Sequence, residues 1–116
     1  MPGGADPDNR RKMTFSGYSS AQSNLKATIE KLSQIRKAHP ALRRGTRSES
    51  VTTNDVWTFK MSTSGDTVYV AINRGDDAAP ISALPSGPLT ELVTGAQVSG
   101  PSFSVPPRST RVFVAR

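Results

Sequence analysis

The side chains that come closest to a reactive pattern stand at the start of the chain, in the stretch MPGGADPDNRR. Asp6 and Asp8 are two carboxylates of the type that general acid–base catalysis uses, and Arg10 follows them. A working carboxylate pair needs a fixed separation and an environment that raises the pKa of one member. A loop rich in Pro and Gly supplies neither for acids two residues apart. We therefore assign no catalytic residue in this stretch.

The composition excludes several other kinds of chemistry. The 116 residues contain no cysteine and one histidine, His39. Disulfides, thiol nucleophiles and cysteine-ligated zinc are excluded, and the sequence predicts no metal site and no cofactor. His39 precedes a proline at the end of a helical pattern. It has no recognisable nucleophile or orienting group nearby in the sequence, so it is interpreted as a helix-terminus residue.

Positive charge is concentrated in the first part of the chain. Residues 1–47 contain ten Lys or Arg and three Asp or Glu, a net charge of +7, whereas residues 48–116 have a net charge of −1. The densest cluster comprises Arg36, Lys37, Arg43, Arg44 and Arg47. No nucleic-acid-binding motif accompanies it, so it is interpreted as solvated surface or as contacts to another body, and no nucleic-acid partner is expected. With neither a long apolar run nor a secretory signal, the sequence predicts a soluble chain without a membrane partner, and its location stays undetermined.

Three aromatic residues offer the other candidate for a binding surface. Trp57 or Tyr69 would suit stacking on a sugar face if either were exposed, with Phe59 nearby. However, Trp57, Phe59 and Met61 share one face of a period-two pattern, which predicts that this face is core. Both interpretations stay open at this point.

One helix and a series of short strands must position all these residues. Leu25, Ile29, Leu32 and Ile35 recur at helical spacing, which predicts an amphipathic helix over residues 21–39 with an N-cap at Ser19 or Ser20. Pro40 ends this helix. The period then changes to two, and residues 56–61 and 67–72 around a Ser-Gly-Asp turn predict a β-hairpin. Shorter strands are predicted at 80–83, 89–93, 102–105 and 110–115.

The predicted fold class is therefore mainly β: an antiparallel Greek-key β-sandwich preceded by one long amphipathic α-helix. The order of features resembles the C-terminal part of α-amylase superfamily enzymes (glycoside hydrolase family 13), especially its maltogenic amylase, neopullulanase and cyclomaltodextrinase members. The resemblance rests on the opening GGADPDNR, the helix end LSQIRKAHPALRRG, the VWTFK and DTVYVAINR hairpin strands, and the final VPPRSTRVFVAR. In that family a catalytic (β/α)8 barrel precedes a C-terminal β-domain.

The resemblance implies a division of the chain and a role for it. Residues 1–17 would be the loop after the last barrel strand, 18–40 the last barrel helix, and 41–116 the C-terminal β-sandwich domain. Asp6 and Arg10 match positions that hold sugar rings in such enzymes, a role that needs the intact parent. The catalytic carboxylates of the family lie on earlier barrel strands, so we expect a non-catalytic domain, not an enzyme, that stabilises the barrel of an α-glucan-acting glycoside hydrolase.

Two expectations about partners follow. The alternative function is a stand-alone module that binds starch or glycogen, with an α-glucan as partner. If no barrel covers the helix, its apolar stripe is an exposed interface and the chain is expected to self-associate through it. That interface comprises Leu25, Ile29, Leu32 and Ile35.

Overall fold

Two helices and eight strands follow one another along the chain in a computed structural model, which describes residues 4–6, 10 and 12–116. The helices are α1 (Ser20–Ala38) and α2 (Ala41–Arg44). The strands are β1 (Thr46–Thr52), β2 (Val56–Thr63), β3 (Asp66–Asn73), β4 (Ala79–Ile81), β5 (Gly87–Glu91), β6 (Gln97–Gly100), β7 (Phe103–Val105) and β8 (Ser109–Ala115).

The strands form two antiparallel sheets. Six of them make a large sheet in the order β1-β2-β3-β8-β5-β6, and β4 and β7 make a small one. The last strand, β8, returns to lie between β3 and β5, as in a Greek-key arrangement. The small sheet packs on one face of the large sheet. The predicted antiparallel β-sandwich is confirmed.

Both faces of the large sheet are covered at its central strands, which therefore carry apolar residues on both sides. The inter-sheet core is formed by Val56, Ala71, Ile81, Leu84, Leu89, Val105 and Phe113. The opposite face packs against the helices through Ile35, Ala41, Val68, Val70 and Val112. Side chains alternate between the two faces along β3. Val68 and Val70 therefore point to the helices, whereas Ala71 points to the small sheet.

The helix prediction is confirmed to within one residue at each end. The hydroxyl of Ser19 accepts a hydrogen bond from the Gln22 N–H, and the Gln22 side chain accepts one from the Ser19 N–H, which forms a capping box. His39 adopts an extended conformation before Pro40 and ends the helix.

The structure contains two strands that were not predicted, and it corrects one prediction of burial. No strand was predicted for β1 or β6, whose residues are exposed or half-buried. The prediction that Trp57, Phe59 and Met61 form a core face is wrong in degree, because all three are only half-buried, while Val56 and Thr58 on the other face of β2 are buried. Strand β1, at the edge of the large sheet, is exposed at every residue, so this end of the sheet is not covered by the helices.

Candidate functional site

Two of the predicted site residues, Asp6 and Arg10, contact each other. Arg10 Nε lies 2.7 Å from Asp6 Oδ1, and Arg10 Nη2 donates a hydrogen bond of 2.7 Å to Asp6 Oδ2. This two-pronged ion pair is exposed, so it adds at most about 1 kcal/mol to stability. It does present a carboxylate and a guanidinium side by side, the combination that can both accept from and donate to sugar hydroxyls. Asp8, the other acid considered, lies outside the described residues.

The apolar stripe of α1 divides into a bare half and a covered half. Every residue from Ser20 to Lys31 is exposed, and Leu25 and Ile29 are 61% and 55% exposed. Leu32 is half-buried, and Ile35 is 7% exposed, because it packs against Val70 and Val112 of the large sheet. The prediction that Ile35 belongs to an exposed interface is therefore wrong, and the uncovered surface is centred on Leu25 and Ile29.

A short polar joint attaches the end of α1 to the hairpin between β2 and β3. Asp66 Oδ1 lies 3.0 Å from His39 Nδ1, and Asp66 Oδ2 accepts a 2.9 Å hydrogen bond from the Ala41 N–H. Burial opposes ionisation of Asp66, but the hydrogen bonds from Ala41 and His39 outweigh it and lower its pKa. Arg36 adds a 2.6 Å hydrogen bond to the Leu42 carbonyl. We call the contacts of His39, Ala41 and Asp66 the helix joint.

The two candidate stacking residues lie on opposite faces of the large sheet, so they cannot form one platform. Tyr69 packs against the inter-sheet core. Trp57 points to the helical side, where its ring lies 4.5 Å from that of Phe59, and its Nε1 donates a 2.8 Å hydrogen bond to Ser50 Oγ. The Arg47 guanidinium lies 5.2 Å from the indole centroid and covers part of one face.

A shallow groove borders Trp57. Its volume is about 350 Å³, and it is lined by Thr52, Thr53, Asn54, Asp55, Val56, Trp57, Ile72 and Arg74. Arg74 donates a 2.8 Å hydrogen bond to the Asn54 carbonyl and lies 3.5 Å from the Asp55 carboxylate. The groove thus combines an aromatic wall with polar groups, a composition that small-molecule sites commonly have.

Two of the five residues of the basic cluster are engaged in contacts within the chain. Arg36 is engaged with the Leu42 carbonyl and Arg47 lies over Trp57. Lys37, Arg43 and Arg44 are exposed. Among the residues that the structure describes, no three His, Cys, Asp or Glu side chains are grouped so that they could hold a metal ion. In the same part of the chain, no helix is both long and apolar enough to cross a membrane.

Two acids of the fold were not predicted from the sequence: the buried Glu91 and Asp66, the partner of His39. Glu91 is 1% exposed, and its carboxylate accepts hydrogen bonds from the N–H groups of Val93, Thr94 and Val112. An acid inside the apolar run Leu-Thr-Glu-Leu-Val just before a Thr-Gly turn was the available signal. Asp66, the partner of His39, looked like an ordinary turn residue, and only the fold brings the two together.

Comparisons with known proteins place these features in context. No protein-family model matches the chain. An α-amylase of Niallia circulans is 33% identical over 110 residues, which cover 90% of this chain and 20% of that protein. A cyclomaltodextrin glucanotransferase of Thermoanaerobacterium thermosulfurigenes is 34% identical over 110 residues, covering 90% of this chain and 15% of that protein. The chain thus spans only 15–20% of the length of these curated relatives.

Solved structures agree with the sequence matches. An Anoxybacillus α-amylase superposes with a TM-score of 0.80 at 25% identity, over 97% of this chain and 26% of that one. AmyP in complex with maltose gives a TM-score of 0.73 at 26% identity, over 82% of this chain and 21% of that one.

Proposed function

Because the chain belongs to the α-amylase superfamily, glycoside hydrolase family 13, and corresponds to a C-terminal part of such enzymes, we propose that it is the non-catalytic β-domain of an enzyme acting on α-glucans. Its role in that enzyme is to cover and stabilise the end of the catalytic barrel. Residues 1–17 then form the loop after the last barrel strand, 18–40 the last barrel helix and 41–116 the β-domain.

The observation that carries this proposal is the bare half of α1. Leu25 and Ile29 are more than half exposed on a helix whose other end is fixed to the sandwich. Covering their exposed area is worth about 2–3 kcal/mol at the usual value for apolar surface. A barrel packed against this half of α1 would gain that energy, and the helix joint would hold the β-domain at its side.

The N-terminal pair has a place in the same proposal. Asp6 and Arg10 would project from the loop into the sugar-binding cleft of the intact enzyme and hold a sugar ring there. Both side chains are exposed and directly paired in this chain, so they are accessible to a ligand. Without an opposing wall they would bind sugar only weakly.

A chimaeric enzyme tests the stabilising role. The segment of the Niallia circulans α-amylase that aligns with this chain is replaced by the chain itself, and the half-life of activity on heating is measured. We expect the double variant Leu25→Asp/Ile29→Asp in the chimaera to lose activity at least several-fold faster. Val51→Asp is the matched control, because Val51 is similarly exposed (51%) on the distant strand β1. Equal half-lives for the three chimaeras would refute the role.

The absence of catalysis has its own test. The purified chain, incubated with maltooligosaccharides, is expected to release no reducing sugar above a blank, whereas the Niallia circulans α-amylase serves as positive control. Hydrolysis by the chain that survives repeated purification would contradict the proposal.

A second function, binding of starch or glycogen, is favoured by one observation, the groove beside Trp57. Affinity electrophoresis in gels that contain glycogen measures it directly. Specific retardation that Trp57→Ala abolishes and Tyr69→Phe preserves would support a binding module that uses this groove. Unchanged migration of the wild-type chain would exclude it.

A further inference from the structure

We propose that the chain, when no barrel covers it, forms a two-fold dimer in which the bare halves of two α1 helices pair in an antiparallel manner. This inference concerns the chain on its own and holds whether or not the proposed function is correct. It begins from Leu25 and Ile29, which are more than half exposed although they are large and apolar. Since residues 20–31 are all exposed, this half of α1 is not covered by the body of the same molecule.

The charged residues beside the apolar stripe favour a second copy of α1 that runs in the opposite direction. Lys26 and Glu30 each follow a stripe residue by one position, so both flank the same side of the stripe. They lie 3.7 Å apart within one helix and are about 60% exposed. In an antiparallel pair centred on Thr28, the same flanks face each other, and Lys26 of each copy lies opposite Glu30 of the other. Two intermolecular ion pairs result.

A parallel pair would be worse in this respect. In a parallel two-fold pair each flank would face the opposite flank of the other helix, so the side that carries Lys26 and Glu30 would not meet its equivalent and no Lys26–Glu30 pair would form between the helices. The remaining charges of α1 do not oppose the antiparallel register. Lys31 lies on the far side of the helix from Lys26, and Arg36 is bonded to the Leu42 carbonyl. Lys37 would lie opposite the uncharged Ser19.

The interface is small, so the affinity is modest. Two large side chains from each copy give a weak association with a dissociation constant on the order of 10–100 μM. Sedimentation equilibrium over a hundredfold range of concentration, from about ten times below to about ten times above that value, is the appropriate measurement.

Apolar variants test the surface. Leu25→Asp/Ile29→Asp should weaken association by at least about tenfold, because it places charges in the buried stripe. Val51→Asp, the matched control on β1, should leave the dissociation constant unchanged. A dimer that Val51→Asp abolishes and the helix variant leaves intact would overturn the proposal in favour of pairing through the β1 edge. A clean monomer at every concentration would overturn it outright.

Charge variants test the register. Lys26→Glu alone and Glu30→Lys alone each turn both intermolecular pairs into repulsions and should weaken self-association about tenfold. An equimolar mixture of the two variants should associate like the wild-type chain, since the two acids of one copy would then face the two lysines of the other. Within each helix the like charges remain, so recovery cannot come from helix stability. Failure of the mixture to recover would contradict the antiparallel register.

The outcome is independent of the chimaera. A monomeric chain would remove this proposal and leave the barrel contact intact, because the two tests use different partners for the same surface.

Discussion

A one-atom change at the buried residue Glu91 should have a large effect on this fold. Its carboxylate is buried at the point where β5 ends. Oε1 lies 2.8 Å from the Val93 nitrogen and 3.3 Å from that of Val112, and Oε2 accepts from the Thr94 N–H at 2.9 Å and from the Thr94 hydroxyl. These contacts hold the turn after β5 and connect it to β8.

The expected loss in Glu91→Gln follows from counting donors. Glutamine keeps the shape of glutamate but replaces one oxygen by an NH2 group, which cannot accept. In the better orientation the NH2 faces Thr94, whose hydroxyl can turn to accept, and the Thr94 N–H then loses its acceptor. An unpaired donor costs about 1–3 kcal/mol, and the other bonds lose their charged acceptor. We expect the free energy of unfolding at pH 7 to fall by about 2–3 kcal/mol.

The effect should depend on pH in a definite direction. Burial opposes ionisation of Glu91, but hydrogen bonds from the Thr94 side chain and from the backbone of Thr94, Val93 and Val112 outweigh it and lower its pKa. A carboxyl whose pKa is lower in the folded state stabilises the fold above its unfolded pKa, near 4.5. This contribution is lost as the pH falls through the folded value. The wild-type chain should therefore lose part of its advantage over Glu91→Gln below about pH 5.

Urea unfolding followed by Trp57 fluorescence, at several pH values from 7 to 3, measures both quantities. Glu49→Gln is the control, because Glu49 is 56% exposed in its pair with Lys60 and should change stability by less than about 1 kcal/mol. If Glu91→Gln unfolds with a free energy within about 0.5 kcal/mol of the wild-type value, or if the difference does not vary with pH, our account of this carboxylate is refuted.

Three further predictions address the helix and its attachment. Asp66→Asn should weaken the helix joint by about 1–2 kcal/mol and increase amide hydrogen exchange in residues 39–45, measured by mass spectrometry. Gly45→Ala should destabilise the fold by at least about 2 kcal/mol in thermal unfolding, because an added Cβ would lie 2.3 Å from the Ala41 carbonyl oxygen. Ile35→Ala should cost about 2–4 kcal/mol in urea unfolding, whereas Leu25→Ala should change the stability of the monomer by less than about 0.5 kcal/mol; equal losses would mean that the two ends of the stripe are covered alike.

The elements that the sequence predicted well are those with a clear apolar period. Residues 21–39 were expected to be helical, and the helix runs over Ser20–Ala38. The strands expected at 56–61 and 67–72 are Val56–Thr63 and Asp66–Asn73. In α1 and β3 the face that is apolar in the sequence is the more buried face in the structure, and in all three elements the observed ends differ from the predicted ones by only a residue or two.

The elements that it missed are held by neighbours that the local pattern does not contain. The strand β1 reads TRSESVT, is exposed at every residue and exists because β2 supplies its hydrogen-bonding partner. The strand predicted at 89–93 ends at Glu91, since the Glu91 carboxylate captures the N–H groups of Val93 and Thr94 and turns the chain. Neither the pairing of β1 with β2 nor the contacts of the Glu91 carboxylate can be predicted from the alternation of apolar and polar residues.

The candidate site divides in the same way. The resemblance to α-amylase enzymes singled out Asp6 and Arg10, and the helical spacing of apolar residues predicted an apolar surface on α1. The sequence-based prediction counted Ile35 as exposed, whereas the large sheet covers it. Helical spacing alone does not show how far along α1 the sheet extends. The prediction also missed Asp66, which is 27 residues from His39 in sequence and 3.0 Å away in space.

Because α1 is attached to the sandwich at one end only, a small change in its angle there displaces its other end by several ångströms. From Ile35, where α1 meets the sheet, to its first residue, Ser20, the helix extends about 22 Å. A tilt of about 10° at the root would therefore move the tip by roughly 4 Å, more than the length of a hydrogen bond. A domain that contacts the N-terminal end of α1 is therefore positioned relative to the sandwich by contacts at the other end of the helix. Among these are the hydrogen bonds of the two Asp66 carboxylate oxygens with His39 and Ala41.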